Sequence, residues 1–204
     1  MREPVLTEDQ RDALQELANL GMGTAASRLS RLLDSFIELS VPRVRTVALS
    51  EAAGALREMT GIEDSVTVVR QGFRSEIKGE VLVICRSAGM TDLAALVRDP
   101  QAEEQASETE LIFDIANVLT GACVSSILGQ LGLVPIFSAP DMLGEAVSLV
   151  DVFQPGMLVW NVALLVEVNL SLEDRPLRAH LVMLMAEESI RQVSRALDTL
   201  LQGL

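Results

Sequence analysis

Asp12, Glu16 and Asn19, followed by Pro42 after twenty-two intervening residues, are matched by Glu110, Asp114 and Asn117, followed by Pro140 after an identical gap. At about 100° per residue, positions i, i+4 and i+7 fall within roughly 60° of one another on a helix. Each triplet would therefore set two acids and an amide on one face. An amide both donates and accepts hydrogen bonds but is not a base, so it can orient a water molecule without a perturbed pKa. The chemistry expected of such a surface is the positioning of water.

On the first segment Leu14, Leu17, Gly21, Ala25 and Leu32 fall on the opposite side, and Ile112, Ile115, Leu119 and Cys123 flank the second triplet. These apolar positions form the buried stripe and turn the polar face toward solvent. Gly23 and Ser30 continue the outward stripe of the first segment and Gly121 that of the second, leaving room for another molecule beside each helix. Taken singly, acids on an exposed helix are ordinary solvated residues, and early ones suit the positive helix N-terminus. Asn in mid-helix is a poorer fit to that account. Two copies, each with Gly and Pro at the same following positions, argue against coincidence.

The repetition reaches beyond the triplets. Leu17-Ala18-Asn19-Leu20 answers Ile115-Ala116-Asn117-Val118, Gly23 answers Gly121 and Ser27 answers Ser125, all at one offset. Glu51-Ala52 resembles Glu145-Ala146, and Glu80-Val81-Leu82-Val83 resembles His180-Leu181-Val182-Met183, with small changes of offset. We read an internal duplication, repeat one over 1–100 and repeat two over 101–204, with the break near Asp99 to Gln105. Each repeat is expected to open with a long helix, from about Thr7 to Leu33 and from about Ser107 to Leu131. Thr7 with Gln10 and Ser107 with Glu110 are capping-box patterns. A Pro-containing extended segment and a short helix (Ser50 to Met59; Gly144 to Phe153) should follow. Then come two β-branched and aliphatic strands, Ser65 to Phe73 with Glu76 to Arg86, and Met157 to Leu170 with Leu177 to Met185. A closing helix ends each repeat, Met90 to Val97 and Glu187 to Leu201. Two paired strands are not stable alone, so the expected fold class is α+β: one domain over 1–204, with an antiparallel sheet shared across a pseudo-twofold axis and the two long helices packed on it.

Composition narrows the function classes. A chain of 204 residues, 49% hydrophobic, can bury a core without metals or disulfides. With 16 basic against 29 acidic residues the net charge is -13, which argues against nucleic acid as a partner. His180 is the only histidine and lies in a strand-like run, so a His-based triad or multi-His zinc site is not available. Lys78, the only lysine, is placed in a turn. Cys85 and Cys123 lack metal-ligand spacing and read as buried small apolar residues. The N-terminus Met-Arg-Glu-Pro is not an apolar signal, and the most hydrophobic segment, Gly156 to Val168, is broken by Asn161 and too short to span a bilayer. A soluble, cytoplasmic monomer without membrane insertion is expected.

The motif Asp12-x3-Glu16-x2-Asn19-x22-Pro42 resembles the signature of the CheC/CheX/FliY family of response-regulator phosphatases. Asn19-Leu20-Gly21-Met22-Gly23-Thr24-Ala25-Ala26 and Leu29-Ser30-Arg31-Leu32-Leu33 resemble its first helix. Ala116-Asn117-Val118-Leu119-Thr120-Gly121-Ala122 and Ser138-Ala139-Pro140-Asp141-Met142 carry the likeness into the second repeat. Two motif copies in a chain of this length resemble the free-standing CheC type. The resemblance implies removal of the phosphoryl group from the phospho-aspartate of a CheY-like receiver in chemotaxis signalling. It implies that Glu16 contacts the receiver's active-site lysine and Asn19 holds the attacking water in line, with Asp114 and Asn117 as the second pair. Asp12 and Glu110 order their helices or contact the partner, and Pro42 and Pro140 shape the adjoining segment. No cofactor of its own is implied; Mg²⁺ belongs to the receiver. The family pattern carries Glu at its second acid, so Asp114 is a departure, shorter by one methylene.

Other readings are a non-catalytic adaptor that binds a receiver, a flagellar switch protein or the receptor deamidase CheD, and a hydrolase holding a hard cation through Asp12 and Glu16.

Overall fold

Thr7 starts the first helix through reciprocal hydrogen bonds: its hydroxyl accepts from the Gln10 backbone N–H at 3.2 Å, and the Gln10 side-chain oxygen accepts from the Thr7 backbone N–H at 3.0 Å. Helix α1 then runs over Glu8–Leu32. The computed structural model describes residues 6–62, 65–86, 108–154, 156, 158–172 and 175–203. Strands β1 (Ile37–Leu39) and β2 (Arg43–Ala48) follow, and a single 3-10 turn leads into α2 (Ala52–Thr60). Gly61, at φ 64°, ends that helix in the left-handed conformation that favours glycine. The hairpin of β3 (Val66–Arg74) and β4 (Lys78–Arg86) completes the first half. The second half supplies α3 (Glu108–Gln130), β5 (Ile136–Phe137), β6 (Asp141–Val147), α4 (Leu149–Val152), β7 (Val162–Leu172), β8 (Arg175–Met185) and α5 (Glu187–Gln202). The expected helix Met90 to Val97, the Ser107 cap and the break near Asp99 to Gln105 lie outside the described residues.

The eight strands of the described residues join one antiparallel sheet in the order β1-β7-β8-β4-β3-β5, with β2 also on β7 and β6 also on β3. The two hairpins meet at its centre, where β4 pairs with β8 and Leu82 stands opposite Val182. The strand after each proline pairs with the hairpin of the other half: β2 with β7, in register Arg43 to Glu167, and β6 with β3, Asp141 to Arg70. The halves are thus interlocked by strand exchange, and the α+β class with a shared antiparallel sheet is as expected.

Both faces of the sheet are covered. Along β4, Val81 and Val83 face one core while Leu82 and Ile84 face the other, the two-residue period of a strand. The first core holds α1 and α3 through Leu14, Met22, Ala25, Leu29, Ile115, Leu119 and Ile127, together with Ile190, Val193 and Leu197 of α5. The second lies under α2 and α4, around Leu56 and Leu149. Double-sided burial explains why the hairpin strands read as continuous apolar runs rather than alternating ones. The helix pair is antiparallel, with Gly21 against Ala122 and the Ser126 hydroxyl donating to the Leu17 carbonyl at 2.8 Å.

Three expectations change. Gly144 to Val147 belongs to β6 rather than to a helix, because this segment pairs with β3; the helix begins only after Ser148, whose hydroxyl caps the Asp151 N–H at 3.2 Å. Leu32, in the last turn of α1, is 41% exposed, and Leu29 and Leu33 carry the buried stripe to its end. Among the described residues the helix long and apolar enough to cross a membrane by length and composition is Thr109–Gln130 rather than the segment Gly156 to Val168, and 61% of its apolar window is buried within the fold, as befits a core helix.

Candidate functional site

The helical spacing turns the first triplet outward. Asp12 and Glu16 are exposed and Asn19 is half-buried, and the three side chains enter no hydrogen bond or ion pair among the described residues. Unpaired polar groups held on a rigid helix are available to a second molecule. One turn on, a Cβ added at Gly23 would meet nothing within 4 Å. Leu20, beside Asn19, is 59% exposed, and Val41, beside Pro42, is 62% exposed. Asp12 and Glu16 also line an open groove of about 830 Å³, together with Ala13, Gln130, Leu200 and Leu201. Gln10 brings α5 to this place: its side-chain amide donates to the Ser194 hydroxyl at 2.9 Å and to the Asp198 carboxylate at 2.7 Å.

The second triplet shares the helix geometry and differs in its surroundings. Glu110, Asp114 and Asn117 are exposed, and Gly121 again leaves open space. Asn117, however, is held. The side-chain nitrogen of Gln71, on β3, donates to Asn117 Oδ1 at 2.8 Å and to the main-chain carbonyl of Ser138 at 2.9 Å. The Ser138 hydroxyl accepts from the Gly72 N–H, and its own N–H donates to the Gly72 carbonyl, each at 3.0 Å. The segment before Pro140 is thereby fixed beside the amide, which gives the fixed Asn-to-Pro gap of this half a structural reason. Pro42 is buried and Pro140 half-buried, each directly preceding its exchanged strand. The residues after them make related ion pairs of opposite sense: Arg43 with Glu167, and Asp141 with Arg70 at 2.8 Å.

Sequence reading did not single out Gln71. Its signal was available: a carboxamide within the strand Val66–Arg74, buried to 2% exposure, where the residues beside it in the core are apolar. His180 is buried on β8, in keeping with its strand-like run, whereas Lys78, expected in a turn, is instead the first residue of β4. Burial pushes the Cys85 and Cys123 thiols up to about 12, which leaves both without thiolate character. Among the described residues no group of three or more His, Cys, Asp or Glu side chains is arranged to hold a metal ion.

In the acid and amide displayed on each of two antiparallel helices, over a sheet that the halves complete for each other, this chain is similar to CheC-like proteins. The model of the CheC-like family matches residues 10–45, the segment from the first motif to the start of β2. The chain is 24% identical over 208 residues to the CheY-P phosphatase CheC of Bacillus subtilis, covering 94% of this chain and 95% of that protein. Its fold is that of Thermotoga maritima FliY, with a TM-score of 0.72 at 19% identity over 96% of this chain and 98% of the other. The FliM middle domain from H. pylori shares the fold with a TM-score of 0.63 at 12% identity, over 94% and 99% of the two chains. These likenesses bear out the resemblance to the CheC/CheX/FliY family read from the motifs.

Proposed function

We propose that this protein removes the phosphoryl group from the phospho-aspartate of a CheY-like receiver domain and so terminates a chemotaxis signal. The carrying observation is Glu16 and Asn19, unpartnered on one outward helix face, with the acid and amide displayed a second time as Asp114 and the Gln71-held Asn117. The name of the B. subtilis relative, a CheY-P phosphatase, supports the same reading.

In this mechanism Glu16 seats the receiver's lysine and Asn19 holds a water in line with the phosphorus. The water oxygen attacks, the bond from phosphorus to the aspartyl oxygen breaks, and inorganic phosphate and a free aspartate leave. The receiver brings its own Mg²⁺, which offsets charge on the phosphoryl oxygens. Phosphoryl transfer through a loose transition state demands placement more than deprotonation, which suits an amide. Orientation of this kind is sufficient for an acceleration on the order of one hundredfold. An exposed helix serves as an active site because the receiver completes it on docking.

The test is the decay of a Mg²⁺-loaded, phosphorylated CheY-type receiver with wild type, Asn19→Ala, Asn117→Ala and the double variant. Accelerated decay that the double variant loses supports the phosphatase reading. Binding of the phosphorylated receiver with an unchanged lifetime replaces it with the adaptor reading, for which the occurrence of this fold in a FliG–FliM complex from H. pylori is the specific motive.

A further inference from the structure

We infer that Gln71 is a positioning residue of the second site, which locks the amide plane of Asn117 from behind while the amide of Asn19 is left to turn. The inference rests on the phosphatase reading for its catalytic consequence and on geometry for the lock itself.

The assignment of atoms is forced by chemistry. The main-chain carbonyl of Ser138 can only accept, so the Gln71 atom that faces it at 2.9 Å is the nitrogen. The same nitrogen faces Asn117 at 2.8 Å, so the Asn117 atom there is its oxygen. Its Nδ2 is then directed away from Gln71. A planar amide held at one oxygen lone pair by a donor that is itself anchored on a sheet has lost most of its freedom about χ2. One oxygen lone pair and both N–H groups remain for a water. Gln71 cannot swing aside freely, because it is 2% exposed on β3, between the strand pairings of Arg70 and Gly72 with Leu82 and Glu80.

Nothing equivalent braces Asn19, which has no hydrogen-bond partner among the described residues. The strand register gives a reason. Gln71 follows Arg70, which pairs with Asp141 after Pro140; in the other half the residue following Glu167, which pairs with Arg43 after Pro42, is Val168. Valine is a residue type without an amide. The two sites therefore share acid, amide and proline and differ in whether the amide is held by a hydrogen bond: the second site is preorganised and the first adapts to its partner.

Gln71→Met keeps the length of the side chain and removes both hydrogen bonds. Two measurements test the proposal in the full chain. The first is the ¹⁵N order parameter of the Asn117 side-chain amide, with that of Asn19 as internal reference. It is expected to be the higher of the two in wild type and to fall to the level of Asn19 in Gln71→Met; equal values in wild type, or no fall, overturn the lock whether or not the protein is a phosphatase. The second is receiver dephosphorylation by Gln71→Met in the Asn19→Ala and Asn117→Ala backgrounds. A fall in kcat of roughly tenfold with little change in KM is expected where Asn117 works alone, and no change where Asn19 works alone. Equal losses in both backgrounds would reduce Gln71 to a structural residue and overturn the positioning role. If wild type itself does not turn over the receiver while the order parameter behaves as expected, the phosphatase reading fails and the lock stands. Gln71→Leu serves as a second variant if Gln71→Met does not fold.

Discussion

Gly21 of α1 lies so close to Ala122 of α3 that a Cβ added to the glycine would stand 2.8 Å from the alanine carbonyl oxygen, and 3.0 Å from Cys123 Cα. Both obstacles are main-chain atoms of a helix, which cannot turn aside. The two motif-bearing helices are therefore held at a separation that only glycine permits. Gly21→Ala is expected to destabilise the protein by about 1–3 kcal/mol, the usual range for overpacking. Gly23→Ala, two residues away with open space around it, is expected to be neutral or to stabilise by about 0.5–1 kcal/mol through helix propensity. Urea unfolding of the two variants checks this; equal midpoints would mean that the helix pair relaxes at no cost.

The ion pairs after the two prolines differ in burial, and their removal should differ in consequence. The side chain of Glu167 is 4% exposed, whereas Arg70 and Asp141 are 36% and 64% exposed. Arg43→Ala strands a buried carboxylate and is expected to cost about 1–3 kcal/mol, less than a fully buried pair because Arg43 itself reaches solvent. Arg70→Ala is expected to cost at most about 1 kcal/mol. Unfolding midpoints in the same buffer decide, and equal losses would show that the burial of Glu167 is without energetic effect.

Asp114 is shorter than Glu16 by one carbon–carbon bond, roughly 1.5 Å of reach. In the Asn19→Ala background, Asp114→Glu is expected to raise receiver dephosphorylation several-fold. An unchanged rate would mean that the docked receiver already closes the gap.

Cys85 and Cys123 keep their protons in the folded state up to about 12, while the thiols of the unfolded chain ionise around 9. The unfolded state thus binds fewer protons than the folded state in this window. The stability linked to the thiols is complete below about pH 9 and is lost as pH rises toward 12. Denaturant unfolding at pH 8 and at pH 10.5 should show that decline, and Cys85→Ala/Cys123→Ala should flatten it. A native protein at pH 8 is also expected to resist thiol-directed alkylation until denaturant is added.

Local rules made much of this molecule legible before any coordinates. The Thr7–Gln10 cap, the outward face of Asp12, Glu16 and Asn19, and the apolar runs of the hairpin strands depend on neighbours within a few residues, and each stands where its pattern put it, save that β7 begins at Val162 rather than Met157. The misreading of Gly144 to Val147 as a helix arose where a distant partner decided the outcome: the open edge of β3 draws the segment into the sheet.

The site divides along the same line. Sequence by itself determined which helices carry acid and amide and that they occur twice, because spacing along one helix fixes a face. Tertiary structure alone decided that each half's post-proline strand crosses to the other hairpin, that Gly21 sets the spacing of the helix pair, and that Gln71 reaches Asn117 across 46 positions of the chain. Those relationships join residues remote in sequence, whose meeting depends on how the sheet closes, and no local period encodes that.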